Sequence, residues 1–182
     1  KRCVVLGVTG GIAVYKALDV ISALRKKDVD VRVIMTKSAT EFVTPITFQS
    51  MSQNIVTTDM FAEPKAWEIQ HISLAKRADV FLVAPATANI IGKVANGIAD
   101  DMLSTTIMAT RAKVVFAPAM NTNMYTNPIV QENIAKLKKL GYEFIEPASG
   151  RLACGDEGKG KLAPASDIVE KVLSELYDKK DL

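Results

Sequence analysis

Short apolar runs rich in β-branched residues alternate along this chain with longer stretches in which apolar positions recur every three or four residues. The first run, 3–9 (CVVLGVT), leads through a glycine pair into the amphipathic stretch 12–27, which reads as a strand, a tight loop and a helix. Further strands are predicted at 31–36, 80–84, 113–117 and 143–145, and helices at 89–110, 128–140 and 165–179. A short helical segment beginning at His71 (HISLAKRA) precedes the third strand. Pro128 suits the first turn of its helix and Gly141 the position just past its end. Ser166 and Asp167 are placed to cap the last helix, whose apolar stripe is Ile168, Val169, Val172, Leu173 and Leu176. Strands alternating with helices give an α/β chain of three layers, a mostly parallel sheet with helices on both faces.

Length and composition narrow this picture. The 182 residues suit one domain with a full core, and 48% hydrophobic with 24% charged residues is ordinary for a globular protein. The 23 basic and 20 acidic residues leave a net charge of +3, and the cations form no stripe interleaved with aromatics, so nucleic acid is not an expected partner. The Lys136, Lys138, Lys139 cluster falls at a predicted helix end, where cations favour the macrodipole. No apolar run reaches the roughly 20 residues of a membrane span. Two cysteines with nothing to suggest pairing fit a reducing compartment, and the expected location is the cytoplasm.

In an open parallel sheet, ligands gather beyond the carboxyl ends of the strands, and the unusual residues of this chain cluster there. The loop GVTGGIA brings backbone N–H groups and a helix N-terminus together, as an anion site would, although glycine also serves such turns for steric reasons alone. Thr36, Ser38 and Thr40 follow the second strand, where a hydroxyl either bonds a phosphate or caps the next helix. Asn89 and Asn121 end two near-matching turns, PATAN and PAMN, and each amide serves its own backbone or a ligand. His71 is the sole histidine, suited to proton transfer near neutral pH but equally to a structural role. Cys154 lies in SGRLACGDEGKGK, whose four glycines predict a mobile flap; Arg151, Lys159 and Lys161 would favour its thiolate, and an incidental free thiol is the alternative.

Together GVTGGIAVYKA, the histidine, PATANI, NGIADDMLS, PAMNTNM and ACGDEGKGKLA resemble the flavin-containing cysteine decarboxylases, and among them those acting on 4′-phosphopantothenoylcysteine in coenzyme A biosynthesis. The resemblance covers nearly the whole chain and implies the Rossmann-like flavoprotein form of the α/β fold. It implies an FMN site at Gly10, Gly11 and Ile12, at Thr36 for the phosphate, at Phe42, and at Thr87, Ala88, Asn89 and Ile90. It makes His71 the catalytic base, Asn121 the holder of the substrate carboxylate, and Cys154 the proton donor. Met124, Arg151, Leu152 and Ala153 complete the substrate site; no metal is implied. In this family FMN oxidises the substrate thiol to a thioaldehyde, loss of CO2 gives an ene-thiolate, and protonation by the flap cysteine with hydride return gives 4′-phosphopantetheine without net oxidation. Two departures stand out: Tyr125 replaces the usual tryptophan, and Pro164 the usual glutamate.

The resemblance further implies homotrimers or dodecamers built from trimers, with FMN at a subunit boundary. Bifunctional members carry a C-terminal ligase domain, so residues 1–177 are expected to form the decarboxylase domain and 178–182 to begin a linker toward that domain. Other readings on the same fold are a flavin prenyltransferase, a peptidyl-cysteine decarboxylase and a non-catalytic regulatory subunit; a flavodoxin-like electron carrier is the remaining one. Cys154 and the PAMN turn weigh against the first two, and retention of both His71 and Cys154 against the third.

Overall fold

The computed structural model describes residues 1–59, 64–151 and 157–177. Strand β1 (Cys3–Val8) is followed by a 3-10 turn (Ile12–Lys16) that runs on into α1 (Ala17–Lys26). Next come β2 (Asp30–Met35), α2 (Lys37–Thr40), α3 (Pro45–Ser52) and α4 (Pro64–Arg77). The chain continues through β3 (Val80–Ala86), α5 (Ala88–Ala95), α6 (Met102–Ala109) and β4 (Lys113–Pro118). It then forms α7 (Thr122–Tyr125), α8 (Pro128–Lys139), β5 (Glu143–Phe144), a hairpin of β6 (Ala148–Arg151) and β7 (Glu157–Lys161), and α9 (Ala165–Leu176).

Five strands pair in the order β2-β1-β3-β4-β5, every pairing parallel, and β6 and β7 form a separate antiparallel pair. Alternation along each strand divides the core into two clusters. Val4, Leu6 and Val8 join Val80, Leu82 and Ala84 on the face covered by α1, α3 and α9. Cys3 and Val5 join Phe81, Val83, Val114 and Phe116 on the face covered by α5, α6 and α8. A strand covered on both sides has no polar face, which is why these segments read as continuous apolar runs. The helices contribute matching stripes: Ala17, Val20, Ile21 and Leu24 of α1, and Ile168, Val172 and Leu176 of α9, are buried at helical spacing. Gly7 admits α6 closely, since a Cβ there would run into the side chain of Leu103.

The expected parallel sheet with helices on both faces is therefore present, and the differences are local. The single helix expected over 89–110 is two, α5 and α6. Gly97 has φ +70, a conformation that ends helices. Asp101 then starts a new helix with a capping box, its Oδ1 accepting from the Ser104 N–H at 2.7 Å. Ser166 and Asp167 do not cap α9; Pro164 occupies that position, its carbonyl accepting from Asp167 and Ile168 at 3.0 and 3.2 Å. Helix α2, whose cap at Thr36 was one of the two readings of that hydroxyl, is present; α3 and the β6–β7 hairpin were not expected, and α4 starts before the expected HISLAKRA segment. Pro128 and Gly141 stand where expected, the latter with φ +97.

The order reverses at β1: the chain leaves it to build β2 on one side and returns to build β3 on the other. Loops after β1 and β3 thus depart in opposite directions and leave a crevice at the carboxyl edge.

Burial pushes the Cys3 thiol from its ordinary 9.0 up to about 12, with the Asp30 carboxylate adding to the shift. Because the folded state holds the proton more tightly, this contribution to stability is complete below pH 9.0 and fades as pH rises toward about 12. Urea unfolding of wild type and Cys3→Ala from pH 8 to 11 is expected to show a steeper alkaline loss in the wild type; parallel profiles would contradict it.

Candidate functional site

The loops that follow β1, β2, β3 and β4 meet at the carboxyl edge of the sheet. Gly10 lies so close to α2 that a Cβ there would stand 2.5 Å from Ser38 Cβ and 2.9 Å from its carbonyl carbon. The glycine loop and the Thr36–Ser38 turn are thus pressed together. Thr36 caps α2, its Oγ1 accepting from the Ala39 N–H at 3.2 Å, which leaves the hydroxyl proton to donate.

Thr9 joins the first loop to the third. Its buried hydroxyl donates to the Pro85 carbonyl at 2.6 Å and accepts from the Thr87 N–H at 3.1 Å. Thr87 in turn caps α5 by accepting from the Ile90 N–H at 3.3 Å. The third and fourth loops are tied by the Ala119 N–H, which donates to the Ala86 carbonyl at 3.1 Å. Asn121 caps α7, its Oδ1 accepting from the Asn123 N–H at 2.8 Å, which fixes the plane of its amide.

The hairpin closes the far side. The Met120 N–H donates to the Gly160 carbonyl at 2.9 Å. A Cβ at Gly160 would strike the Met120 carbonyl, and one at Gly158 would stand 2.8 Å from Thr122 Oγ1. Both glycines have positive φ, 141 at Gly158 and 144 at Gly160, so glycine is required on two counts.

These loops enclose a cleft of about 700 Å³, within the range of small-molecule and cofactor sites. Gly10, Gly11, Ile12, Thr87, Ala88, Asn89, Asn121 and Met124, all expected from the sequence, line it. Ala13, Ala119, Met120 and Leu162 add apolar wall; Lys16 and Lys161 are its charged lining, and no carboxylate lines it among the described residues. A glycine cradle, an apolar slot and an amide edge suit a flat ring carrying a phosphate, so FMN fits the residues present.

Other expected residues lie elsewhere. Ile90 packs into the core at 2% exposure and serves the site only through its capped N–H. Thr36 borders the glycine loop but not the cleft, and Phe42 stands half exposed away from it. His71 is buried at 9% exposure on α4, which packs against α6, and does not line this chain's cleft. Arg151 ends β6 opposite Glu157; Leu152, Ala153 and Cys154 lie outside the described residues. Tyr125 is buried in the core with its aromatic ring retained. Sequence reasoning missed Thr9, Lys16, Met120 and the glycines of β7. Thr9 had a signal, a hydroxyl in the last position of an apolar strand.

The sequence model of the flavoprotein family matches residues 1–177, and the chain belongs to that family. It is 54% identical over 170 residues to the coenzyme A biosynthesis bifunctional protein CoaBC of Bacillus subtilis, covering 93% of this chain and 42% of that protein. It is 46% identical over 175 residues to the probable phosphopantothenoylcysteine decarboxylase of Streptococcus mutans, covering 95% of this chain and 98% of that protein. The chain thus spans under half of the bifunctional relative and nearly all of the shorter one. Among solved structures, a PPC decarboxylase cysteine-to-serine mutant complexed with pantothenoylaminoethenethiol superposes with TM-score 0.81 at 31% identity, covering 95% of this chain and 97% of that one. The FMN binding protein AtHal3 superposes with TM-score 0.79 at 32% identity, covering 95% of each chain.

Replacing Thr9 by valine keeps its shape but strands the Pro85 carbonyl and the Thr87 N–H. Thr9→Val is expected to destabilise the protein by about 1–3 kcal/mol and Thr9→Ser to restore most of that, measured by urea unfolding. Equal stability of all three proteins would show that the hydroxyl bridge is idle.

Proposed function

We propose that this chain is an FMN-dependent carboxy-lyase that converts 4′-phosphopantothenoylcysteine to 4′-phosphopantetheine in coenzyme A biosynthesis. The observation that carries the reading is the cleft at the strand-order reversal, where the glycine loop, the Thr87–Asn89 turn and the Asn121 turn converge. Similarity to a probable phosphopantothenoylcysteine decarboxylase over 98% of its length supports the same reaction.

Gly10 and Gly11 receive the flavin phosphate with the Thr36 hydroxyl beside them, and the Ala88–Asn89 backbone and the apolar walls hold the ring. FMN, when bound there, would supply a reversible two-electron acceptor for the substrate thiol. Asn121 donates an amide N–H to the substrate carboxylate, its orientation set by the bond from the Asn123 N–H to its Oδ1. Cys154, in the sequence between β6 and β7, gives a proton to the decarboxylated carbon, with Arg151, Leu152, Ala153 and Met124 as the other substrate residues of this reading. The stem of that hairpin is anchored beside Asn121.

His71 accepts the proton of the substrate thiol. Since it does not line its own chain's cleft, the reading places it in the site of a neighbouring copy within a homotrimer or a dodecamer of trimers. Ile69 and Ile72, exposed on its own helix, support an apolar contact face there. Residues 1–177 are the decarboxylase domain and 178–182 lead toward a ligase domain in a bifunctional chain, in the cytoplasm. Among the described residues no helix is long and apolar enough to cross a membrane.

The purified protein is expected to be yellow with one FMN per chain and to release CO2 from 4′-phosphopantothenoylcysteine under anaerobic conditions. Colourless protein that cannot be reconstituted with FMN would sink the reading. Cys154→Ser is expected to yield an oxidised ene-thiol with reduced flavin, seen by mass and absorbance; normal product at a normal rate would remove Cys154 from the mechanism. His71→Asn is expected to lose roughly 10²-fold or more in kcat. Mixing His71→Asn with Asn121→Asp subunits is expected to recover part of the activity through hybrid sites, and no recovery would place both residues in one chain's site.

A further inference from the structure

The cleft holds more positive charge than the roles above use. Lys16 closes the 3-10 turn on one wall and Lys161 ends β7 on another, and both line the cleft. Among the described residues neither has a carboxylate within ion-pair distance, whereas Lys93, Lys159 and Lys171 all do. No acidic residue lines the cleft among the described residues. Lys16 is half-buried and Lys161 exposed, so an anion entering the cleft meets two ammonium groups and no competing carboxylate among the described lining residues.

Three anionic groups meet in this cleft under the proposed reaction. The flavin phosphate has the glycine loop and Thr36, which bind through N–H and hydroxyl groups without a lysine. The substrate carboxylate has Asn121. The substrate's own phosphate, at the opposite end of the molecule from the carboxylate, is the group left without a holder.

We infer that Lys16 and Lys161 together bind the terminal phosphate monoester of the substrate and are the specificity-determining residues that separate phosphorylated from unphosphorylated pantothenoylcysteine. The inference rests on the reaction proposed above. A lysine is suited to this task because its ammonium is a compact charge on a long stem, able to follow a phosphate at the rim of a cleft.

The test compares 4′-phosphopantothenoylcysteine with pantothenoylcysteine in wild type, Lys16→Ala, Lys161→Ala and the two Lys→Arg variants, with FMN content measured for each protein. The ratio of kcat/KM between the two substrates is expected to fall roughly ten-fold in each alanine variant, through KM, and to be largely kept by arginine. Inorganic phosphate, tested as an inhibitor of pantothenoylcysteine turnover, is expected to weaken in the same alanine variants while FMN content matches wild type. An unchanged ratio in both alanine variants would overturn the inference, as would loss of FMN from them, which would assign the lysines to the flavin phosphate. Wild-type protein that turns over neither substrate would end the proposed reaction itself. Active wild type with indifferent variants would end only the assignment of the lysines.

Discussion

Strand β1 is the constraint on which the rest of the molecule hangs. It is paired on both edges and buried on both faces, and the order of the sheet reverses at it. A strand so enclosed has no freedom to shift register, because a slip of one residue would exchange its two core faces. Its last residues and the two that follow it therefore fix the loops at the carboxyl edge. Gly7 sets the distance of α6, Thr9 pins the turn after β3, and Gly10 sets the distance of α2. Within four positions the chain passes from core packing to site construction.

The cleft built on that strand is walled by glycine, alanine and apolar side chains such as Ile12, Met120, Met124 and Leu162, with lysines, amides and hydroxyls set among them. Such a surface suits a ligand that is flat and apolar over most of its area and charged at its ends. Hydroxyls and amides hold the loops by bonds of 2.6 to 3.3 Å, and the polar groups that face the cleft are thereby oriented before a ligand arrives. Preorganised donors of this kind act without rearrangement in the course of a reaction.

Much of this was legible in the sequence because the physics was local. The strand signals gave all five parallel strands to within two residues at each end, and the crevice rule placed the post-strand loops at one edge. Eight of the sixteen residues expected at the site line the cleft, from Gly10 to Met124. What was hidden depended on contacts between distant segments. Nothing local in Gly158 or Gly160 announces that they pack on Met120 and Thr122, and nothing in Ile90 separates a core side chain from a wall. The 89–110 helix was misjudged for a local reason, since Gly97 and the Asp101–Ser104 box are break signals that an apolar period overrode. His71 shows the limit of local reasoning: its neighbours in sequence fix its helix, but nothing local announces that it stays out of the lining of this chain's cleft.

Where the β6–β7 hairpin meets the Asn121 turn, Gly160 stands against the Met120 backbone and accepts its N–H, and Gly158 stands against the short side chain of Thr122. A joint of that kind behaves as a hinge pin rather than a cushion, so a displacement of the turn that meets the carboxylate end of a ligand is passed undamped to the stem of the hairpin.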